Sequence, residues 1–316
     1  MIRILANDGI DPIGKRMLEE AGYVVDTETI PQEQLASALL NYDGITVRSA
    51  TKVRKELIDA CPNLRLIGRG GVGMDNIDVE YARSKGLAVV NTPAASSLSV
   101  AELVFAHLFT GIRFLQDANR RMPVDGSTQF NNLKKAYAKG TELSGKTIGI
   151  IGFGRIGRET AKVALGLGMH VLAYDLYPYE GHITMRFQGD ILVDIPVQTV
   201  ELERVITESD FISLHTPFAE RPILDAETFA KMKRGVGVVN CSRGGTIDEL
   251  ALIAALDSGQ VSFAGLDVFD NEPSPRAEIL QHPKISLTPH IGASTNEAQE
   301  RIGSELASLI IAHFSN

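Results

Sequence analysis

Residues 148–157, IGIIGFGRIG, constrain the fold of this chain more than any other stretch. The leading residues are apolar and mostly β-branched around Gly149, as in a buried strand. Gly152, Gly154 and Gly157 follow, and then an apolar-periodic run, Ile156–Leu167, that predicts a helix. This is G-x-G-x-x-G between a strand and a helix, the context in which the motif binds dinucleotides. Gly152 allows a tight turn, Gly154 lets a pyrophosphate approach the backbone, and Gly157 lets the helix pack close to the strand. The helix N-terminus offers N–H groups and a positive dipole end to phosphate. A second strand, His170–Tyr174, ends on Asp175, about 20 residues on, where a carboxylate meets the adenosine ribose. That carboxylate accepts from the ribose hydroxyls and repels a 2′-phosphate, so NAD is expected rather than NADP.

The rest of the chain alternates strand and helix, which predicts an α/β fold with doubly wound parallel sheets. Before the glycine turn, strands are expected at Ile2–Ala6, Tyr23–Asp26, Gly44–Val47, Leu64–Ile67 and Leu87–Val90. Helices are expected at Asp11–Ala21, Gln32–Leu40, Val53–Ala60 and Val79–Lys85. This half has no nucleotide-type glycine motif and reads as a second domain for another ligand. At 316 residues the chain exceeds what one core usually fills. The apolar segment Ser97–Arg120 is expected to be buried or to pack on a partner, with His107 in a core or interface role. Met122–Gly140 reads as a polar loop or arm, and Leu176–Gln198 as a loop with one edge strand. Strands follow at Phe211–Leu214, Val236–Asn240, Phe263–Val268 and Ile285–Thr288. Helices are expected at Val200–Thr207, Asp225–Met232 and Ile247–Ser258, and a closing helix, Ser294–Phe314, capped by Ser294.

The net charge of −8 argues against a nucleic-acid or anionic-membrane surface. No apolar run reaches the ~20 residues of a membrane span. Cys61 and Cys241 form neither a disulfide framework nor a thiolate metal site, and no metal is expected. A reducing, cytoplasmic setting suits them.

In parallel sheets, ligands bind beyond the carboxyl ends of the strands. Four strand ends here carry His215-Thr216-Pro217, Cys241-Ser242-Arg243-Gly244-Gly245, Phe269-Asp270-Asn271-Glu272-Pro273, and Thr288-Pro289-His290-Ile291-Gly292. A His, an Arg, a Glu and a His are thereby directed toward one rim. Arginine can hold a carboxylate bidentately, and a His paired with a carboxylate is a general acid–base. These parts suit hydride transfer between a secondary alcohol and a nicotinamide. His170, His182, His282 and His313 have no such surroundings and read as structural or exposed.

The motifs GKTIGIIGFGRIGRETA, FISLHTPF, VVNCSRGGTIDEL, FAGLDVFDNEP and TPHIGASTNEAQERIG resemble the D-isomer-specific 2-hydroxyacid dehydrogenases. The likeness extends upstream through VRSATKV, IGRGGVGMDNID and VVNTP, and so covers nearly the whole chain. It implies a catalytic set of Arg243, Glu272 and His290. It implies cofactor contacts from Gly152, Gly154, Arg155, Ile156, Gly157, Asp175, His215, Thr216, Pro217, Cys241, Ser242, Asp267, Gly292 and Ala293. It also implies a Rossmann NAD-binding domain at 97–287 and a flavodoxin-like substrate domain built from 1–96 and 288–316. A homodimer through the NAD-binding domain is implied as well.

Within the family the upstream motifs look most like the branch that oxidises D-3-phosphoglycerate at the entry to serine biosynthesis. That points to substrate contacts from Arg48, Ser49, Arg69, Gly71 and Val72, with Lys52 and Lys134, Lys135 or Lys139 as further cations. A glyoxylate/hydroxypyruvate reductase would not need the phosphate cations. A non-catalytic NAD-sensing protein of the same family is the alternative from another class. The length also sets the expectation that the regulatory domain of longer relatives is missing. The family's Asn and Gly after VVNTP are replaced here by Ala94-Ala95-Ser96, and the segment after Asp175 is atypical.

Overall fold

A computed structural model describes residues 1–218 and 220–315. The chain divides into two compact units, 1–99 with 293–316 and 100–292. The sequence reading placed the crossings at 96/97 and 287/288. Here they fall at 99/100 and 292/293, so His290 and Gly292 belong to the second unit.

The first unit contains β1 (Arg3–Ala6), α1 (Pro12–Glu20), β2 (Val24–Asp26), α2 (Leu35–Ala38), β3 (Gly44–Val47), α3 (Lys55–Ala60), β4 (Leu66–Arg69), α4 (Val79–Ser84) and β5 (Ala88–Asn91). Its five strands are parallel in the order β2-β1-β3-β4-β5, a flavodoxin-like sheet. Alternate strand residues face opposite layers. Leu5, Ile45, Val47 and Ile67 pack with Leu35, Leu39, Leu57 and Ile58 on one side. Ile4, Ala6 and Leu66 pack with Leu18, Leu306 and Ile310 on the other. Asp11 starts α1 by accepting from the Ile13 N–H at 2.9 Å, with Pro12 at the first helical position. β4 begins two residues later than expected, which brings Arg69 to its C-terminal end, opposite Val47.

Two helices follow: α5 (Ser97–Ile112) and α6 (Leu115–Ala136). They are bent by 54° at a break where Phe114 takes a left-handed φ of 56°. The expected loop at 122–140 is therefore mostly helix. Pro123, Gly126 and sparse apolar residues hid it, because within this chain α6 fully buries only Leu133.

The second unit continues with β6 (Thr147–Ile151), α7 (Arg155–Gly166), β7 (His170–Tyr174), β8 (Glu180–Arg186), β9 (Leu192–Gln198), α8 (Leu202–Glu208) and β10 (Phe211–Leu214). It then runs through α9 (Ala226–Lys231), β11 (Val236–Asn240), α10 (Glu249–Ser258), β12 (Val261–Leu266), α11 (Ala277–Gln281) and β13 (Ile285–Leu287). Six parallel strands lie in the order β13-β12-β11-β10-β6-β7, so the order reverses between β6 and β10, where a Rossmann sheet binds its ligand.

β8 and β9 form an antiparallel hairpin in place of the expected loop and single strand. Its alternation is real but short. Ile183 is buried among α7 residues and Tyr179, Met185 and Val197, while His182 and Thr184 face out. The closing helix α12 (Asn296–Ser315) belongs to the first unit and crosses α1 closely. A Cβ on Gly14 would lie 2.5 Å from the Gly303 carbonyl oxygen. The cap of α12 is Thr295, whose hydroxyl accepts from the Ala298 N–H at 3.2 Å, not Ser294.

Candidate active site

The glycine turn leaves β6 at the switch point. Gly152 has φ +95°, and a Cβ there would lie 2.6 Å from the His215 carbonyl oxygen. A Cβ on Gly157 would lie 2.2 Å from the Gly152 carbonyl oxygen, so helix and turn touch backbone to backbone. Around Gly154 there is nothing within 4 Å. That open side lies at the start of α7, where no side chain caps the helix and Arg155, Ile156 and Gly157 form the first turn. Asp175 clamps the turn: its Oδ2 accepts from the Phe153 N–H at 2.6 Å and its Oδ1 from the Tyr177 N–H at 3.0 Å. After β10, the Thr216 hydroxyl oxygen is buried without a protein partner, ahead of Pro217. An open glycine face, an uncapped helix start and an orphaned hydroxyl fit a dinucleotide pyrophosphate.

His215 presents its backbone to the turn and its ring to the interior. Nε2 lies 2.9 Å from the Ser213 hydroxyl and 3.2 Å from that of Thr160. Burial pushes its pKa down to about 3, so the ring is neutral at physiological pH.

The Arg243 loop is organised by Asn240, a residue sequence reasoning passed over. Its amide donates to the Arg243 carbonyl at 2.9 Å and the Thr246 hydroxyl at 3.0 Å, and its oxygen accepts from the Ser242 N–H at 3.0 Å. Cys241 and Ser242 are buried behind Arg243, and burial pushes the Cys241 thiol well above its usual range. Gly244 permits close contact with the next loop, since its Cβ would lie 2.0 Å from the Phe269 carbonyl oxygen. That next loop carries Glu272. It is held from below by buried Glu249, which accepts from the Asp270 N–H at 2.8 Å and lies 3.3 Å from Arg276. Glu249 was also missed; its signal was only its position after the α10 cap Asp248.

Glu272 accepts from the Phe269 N–H at 2.9 Å, and its other oxygen lies 2.8 Å from His290 Nδ1. Partial burial pushes the Glu272 carboxyl up. The His290 hydrogen bond, the Phe269 N–H and the charges of His290 and Arg243 outweigh it and hold the group below its ordinary value. An ionised carboxylate only accepts, so Nδ1 carries a proton, and in the neutral ring Nε2 is then the nitrogen that holds the lone pair. Asp267, 1% exposed, accepts from the N–H groups of Ile291 and Gly292, both at 2.8 Å. Arg243, Glu272 and His290 thus stand on neighbouring strand-end loops of one sheet.

In the first unit, Arg48 directly follows β3 and Arg69 ends the adjacent β4. The Arg48 main chain is fixed by Asp8, which accepts from its N–H at 2.7 Å, and by Asn76, which donates to its carbonyl at 2.9 Å. Its guanidinium donates to the Gln299 side-chain oxygen. The Arg69 guanidinium lies against Gly71, where any Cβ would collide with it. Ser49 and Val72 are exposed close by in sequence. Lys52 is exposed, Lys134 and Lys135 end α6, and Lys139 follows that helix. Among the described residues, no group of three or more His, Cys, Asp or Glu could hold a metal ion.

Residues 105–292 match the family model for the NAD-binding domain of D-isomer specific 2-hydroxyacid dehydrogenases. The chain is 43% identical to a hydroxypyruvate reductase of Thermotoga maritima over 314 residues, covering 98% of this chain and 97% of that protein. It is 41% identical to D-3-phosphoglycerate dehydrogenase of Pongo abelii over 308 residues, covering 96% of this chain and 55% of that protein, about half its length. The NAD+-bound crystal structure of 3-phosphoglycerate dehydrogenase from Entamoeba histolytica superimposes with a TM-score of 0.77 at 26% identity, covering all of this chain and 96% of that one. The chain belongs to the D-isomer specific 2-hydroxyacid dehydrogenases. It is an NAD-dependent oxidoreductase acting on a 2-hydroxy acid.

Proposed function

We propose that the chain oxidises D-3-phosphoglycerate to 3-phosphohydroxypyruvate, the first step of the phosphorylated route to serine. The observation that carries this reading is the pair Arg48 and Arg69 at the C-terminal ends of adjacent parallel strands, the edge at which such sheets bind ligands. Two guanidinium groups there suit a phosphate, and the relatives named D-3-phosphoglycerate dehydrogenase support it.

In this reading Arg243 holds the C1 carboxylate. His290 Nε2 accepts the C2 hydroxyl proton while Glu272, bonded at Nδ1, stabilises the imidazolium that forms. Bound NAD supplies the hydride acceptor. Asp267 keeps the His290 loop in place through the two N–H groups beyond it. The proposal extends to a homodimer that covers α6, whose Val124 and Phe130 are exposed at 77% and 57%.

The test is kcat/KM for 3-phosphoglycerate against unphosphorylated D-glycerate, with NAD. A clear preference for the phosphorylated acid is expected. Arg48→Ala or Arg69→Ala should raise its KM about ten-fold or more, since a charge-assisted phosphate contact is worth ~1.5–3 kcal/mol. Equal use of the two acids overturns the phosphate assignment. His290→Ala should lower kcat by ~10²–10⁴ while NAD still binds; near-parental kcat would remove His290 from its role.

A second reading, hydroxypyruvate reduction, is favoured by the Thermotoga relative, which matches over the full length of both chains. The engagement of Arg48 with Gln299 also supports it, since that charge already has a partner. Reduction of hydroxypyruvate by NADH at least as efficient as that of its 3-phospho form would select it.

A further inference from the structure

Behind the His290 loop lies a buried histidine that the reaction does not use. His107, in the middle of α5, is 2% exposed. Its Nδ1 lies 2.9 Å from the Ser286 hydroxyl on β13, and its Nε2 lies 3.1 Å from the Thr288 hydroxyl just beyond that strand. The Thr288 hydroxyl donates to Asp267 Oδ1 at 2.6 Å.

A hydroxyl has one proton, and Asp267 as a carboxylate takes it from Thr288. The Thr288 oxygen must then accept from His107 Nε2–H, and His107 Nδ1 accepts from Ser286. The chain of bonds has one direction: Ser286 to His107, His107 to Thr288, Thr288 to Asp267. It requires a neutral imidazole, and burial pushes the His107 pKa down against the opposing pull of Asp267. Gly265 on β12 supplies the space, because a Cβ there would lie 2.5 Å from the His107 Cβ.

Asp267 passes the order on. Its two oxygens take the N–H groups of Ile291 and Gly292, immediately after His290. His290 itself sits at φ 55°, a left-handed conformation that a non-glycine residue holds only when its surroundings impose it. A carboxylate free to rotate would release one or both N–H groups, and with them the angle at which His290 is presented.

We propose that His107 is a positioning residue for the acid–base histidine, acting through Thr288 and Asp267 on the backbone beyond His290. The inference rests on the assignment of His290 as the proton acceptor. It places a determinant of catalysis inside a core helix, where sequence alone reads only packing.

The test compares His107→Met, His107→Gln and Ser286→Ala in the parent and in a His290→Ala background. The assay is NADH-dependent reduction of whichever of 3-phosphohydroxypyruvate and hydroxypyruvate the parent reduces. His107→Met, similar in bulk but without the donor, should lower kcat about ten-fold with the Kd for NAD changed less than about two-fold. His107→Gln, which can still donate to Thr288, should recover most of the loss. Ser286→Ala, which is milder and protects the test if His107→Met fails to fold, should lower kcat about two- to three-fold. In the His290→Ala background none of the three should lower kcat further.

An equal loss in both backgrounds would show that His107 does not act through His290 and would overturn the inference while leaving His290 in its role. A parental kcat for His107→Met would overturn it as well. Near-parental kcat for His290→Ala alone would instead remove the reading on which the inference rests.

Discussion

His215 gives a quantitative test of how the NAD-binding unit is built. Its ring Nδ1 is sealed from solvent, Nε2 is tied to Ser213 and Thr160, and burial depresses its pKa from 6.5 to about 3. Above pH 6.5 neither the folded nor the unfolded chain protonates this ring, and the group adds no pH dependence. As pH falls below 6.5 the unfolded chain takes up a proton that the folded chain refuses. Stability then falls by ~1.4 kcal/mol per pH unit until the folded pKa near 3 is reached. At about pH 5 the loss from this one residue is therefore ~2 kcal/mol, relative to neutral pH. His215→Gln removes the titration and keeps a polar side chain of similar reach. Its absolute stability should fall, because the bonds to Ser213 and Thr160 are remade imperfectly. Its pH dependence between about 7.5 and 5 should be shallower than the parent's by that ~2 kcal/mol, because the carboxylates common to both proteins cancel in the comparison. The chain contains no tryptophan, so urea unfolding is best followed by far-ultraviolet circular dichroism at each pH. Parallel pH dependences for parent and variant would refute the reasoning, and would mean that the ring reaches solvent in the folded protein. The same burial removes His215 as an alternative to His290, since a ring with a pKa near 3 is a weak base.

Three further outcomes are expected. Asp175→Ala should lower the ratio of kcat/KM for NAD to that for NADP by about ten-fold, because it removes the repulsion of a 2′-phosphate; an unchanged ratio would move cofactor choice to the hairpin beyond it. Gly157→Ala drives a Cβ into the Gly152 carbonyl, backbone against backbone, so it should cost ~1–3 kcal/mol and weaken NAD binding measured by calorimetry. NAD affinity within about two-fold of the parent would show that the turn can yield. Val124→Glu with Phe130→Glu should convert the proposed homodimer to a monomer in light scattering with the fold retained; a dimer that persists in the variant would place the contact away from α6, and a monomeric parent would remove the dimer from the proposal.

Much of the site was legible because its chemistry sits where local pattern is strongest. A strand that is buried on both faces must be apolar throughout, so its end is visible as the first polar residue. Strand ends located in this way pointed to the loops that carry His215, Arg243, Glu272 and His290 and to Asp175 after the second strand, and residue chemistry with the family resemblance singled these out within them. The glycine turn was visible because only glycine permits the φ of Gly152 and the close contacts of Gly152 and Gly157, while Gly154 leaves open space beside the helix start. What the pattern obscured was structure without much burial. Helix α6 exposes nearly all its residues, and the hairpin buries little beyond Ile183, so neither wrote a strong period into the sequence.

The sequence by itself determined the α/β architecture, the dinucleotide turn and the residue types at each strand end, because each follows from local geometry and burial periodicity. Only the tertiary structure decided which nitrogen of His290 faces Glu272, that His215 turns inward and that Glu249 braces the Glu272 loop. It also joined His107 to Asp267, 160 residues further along the chain, through Thr288. Hydrogen-bond direction depends on partners brought together from distant segments, and no window of sequence contains both ends of such a bond.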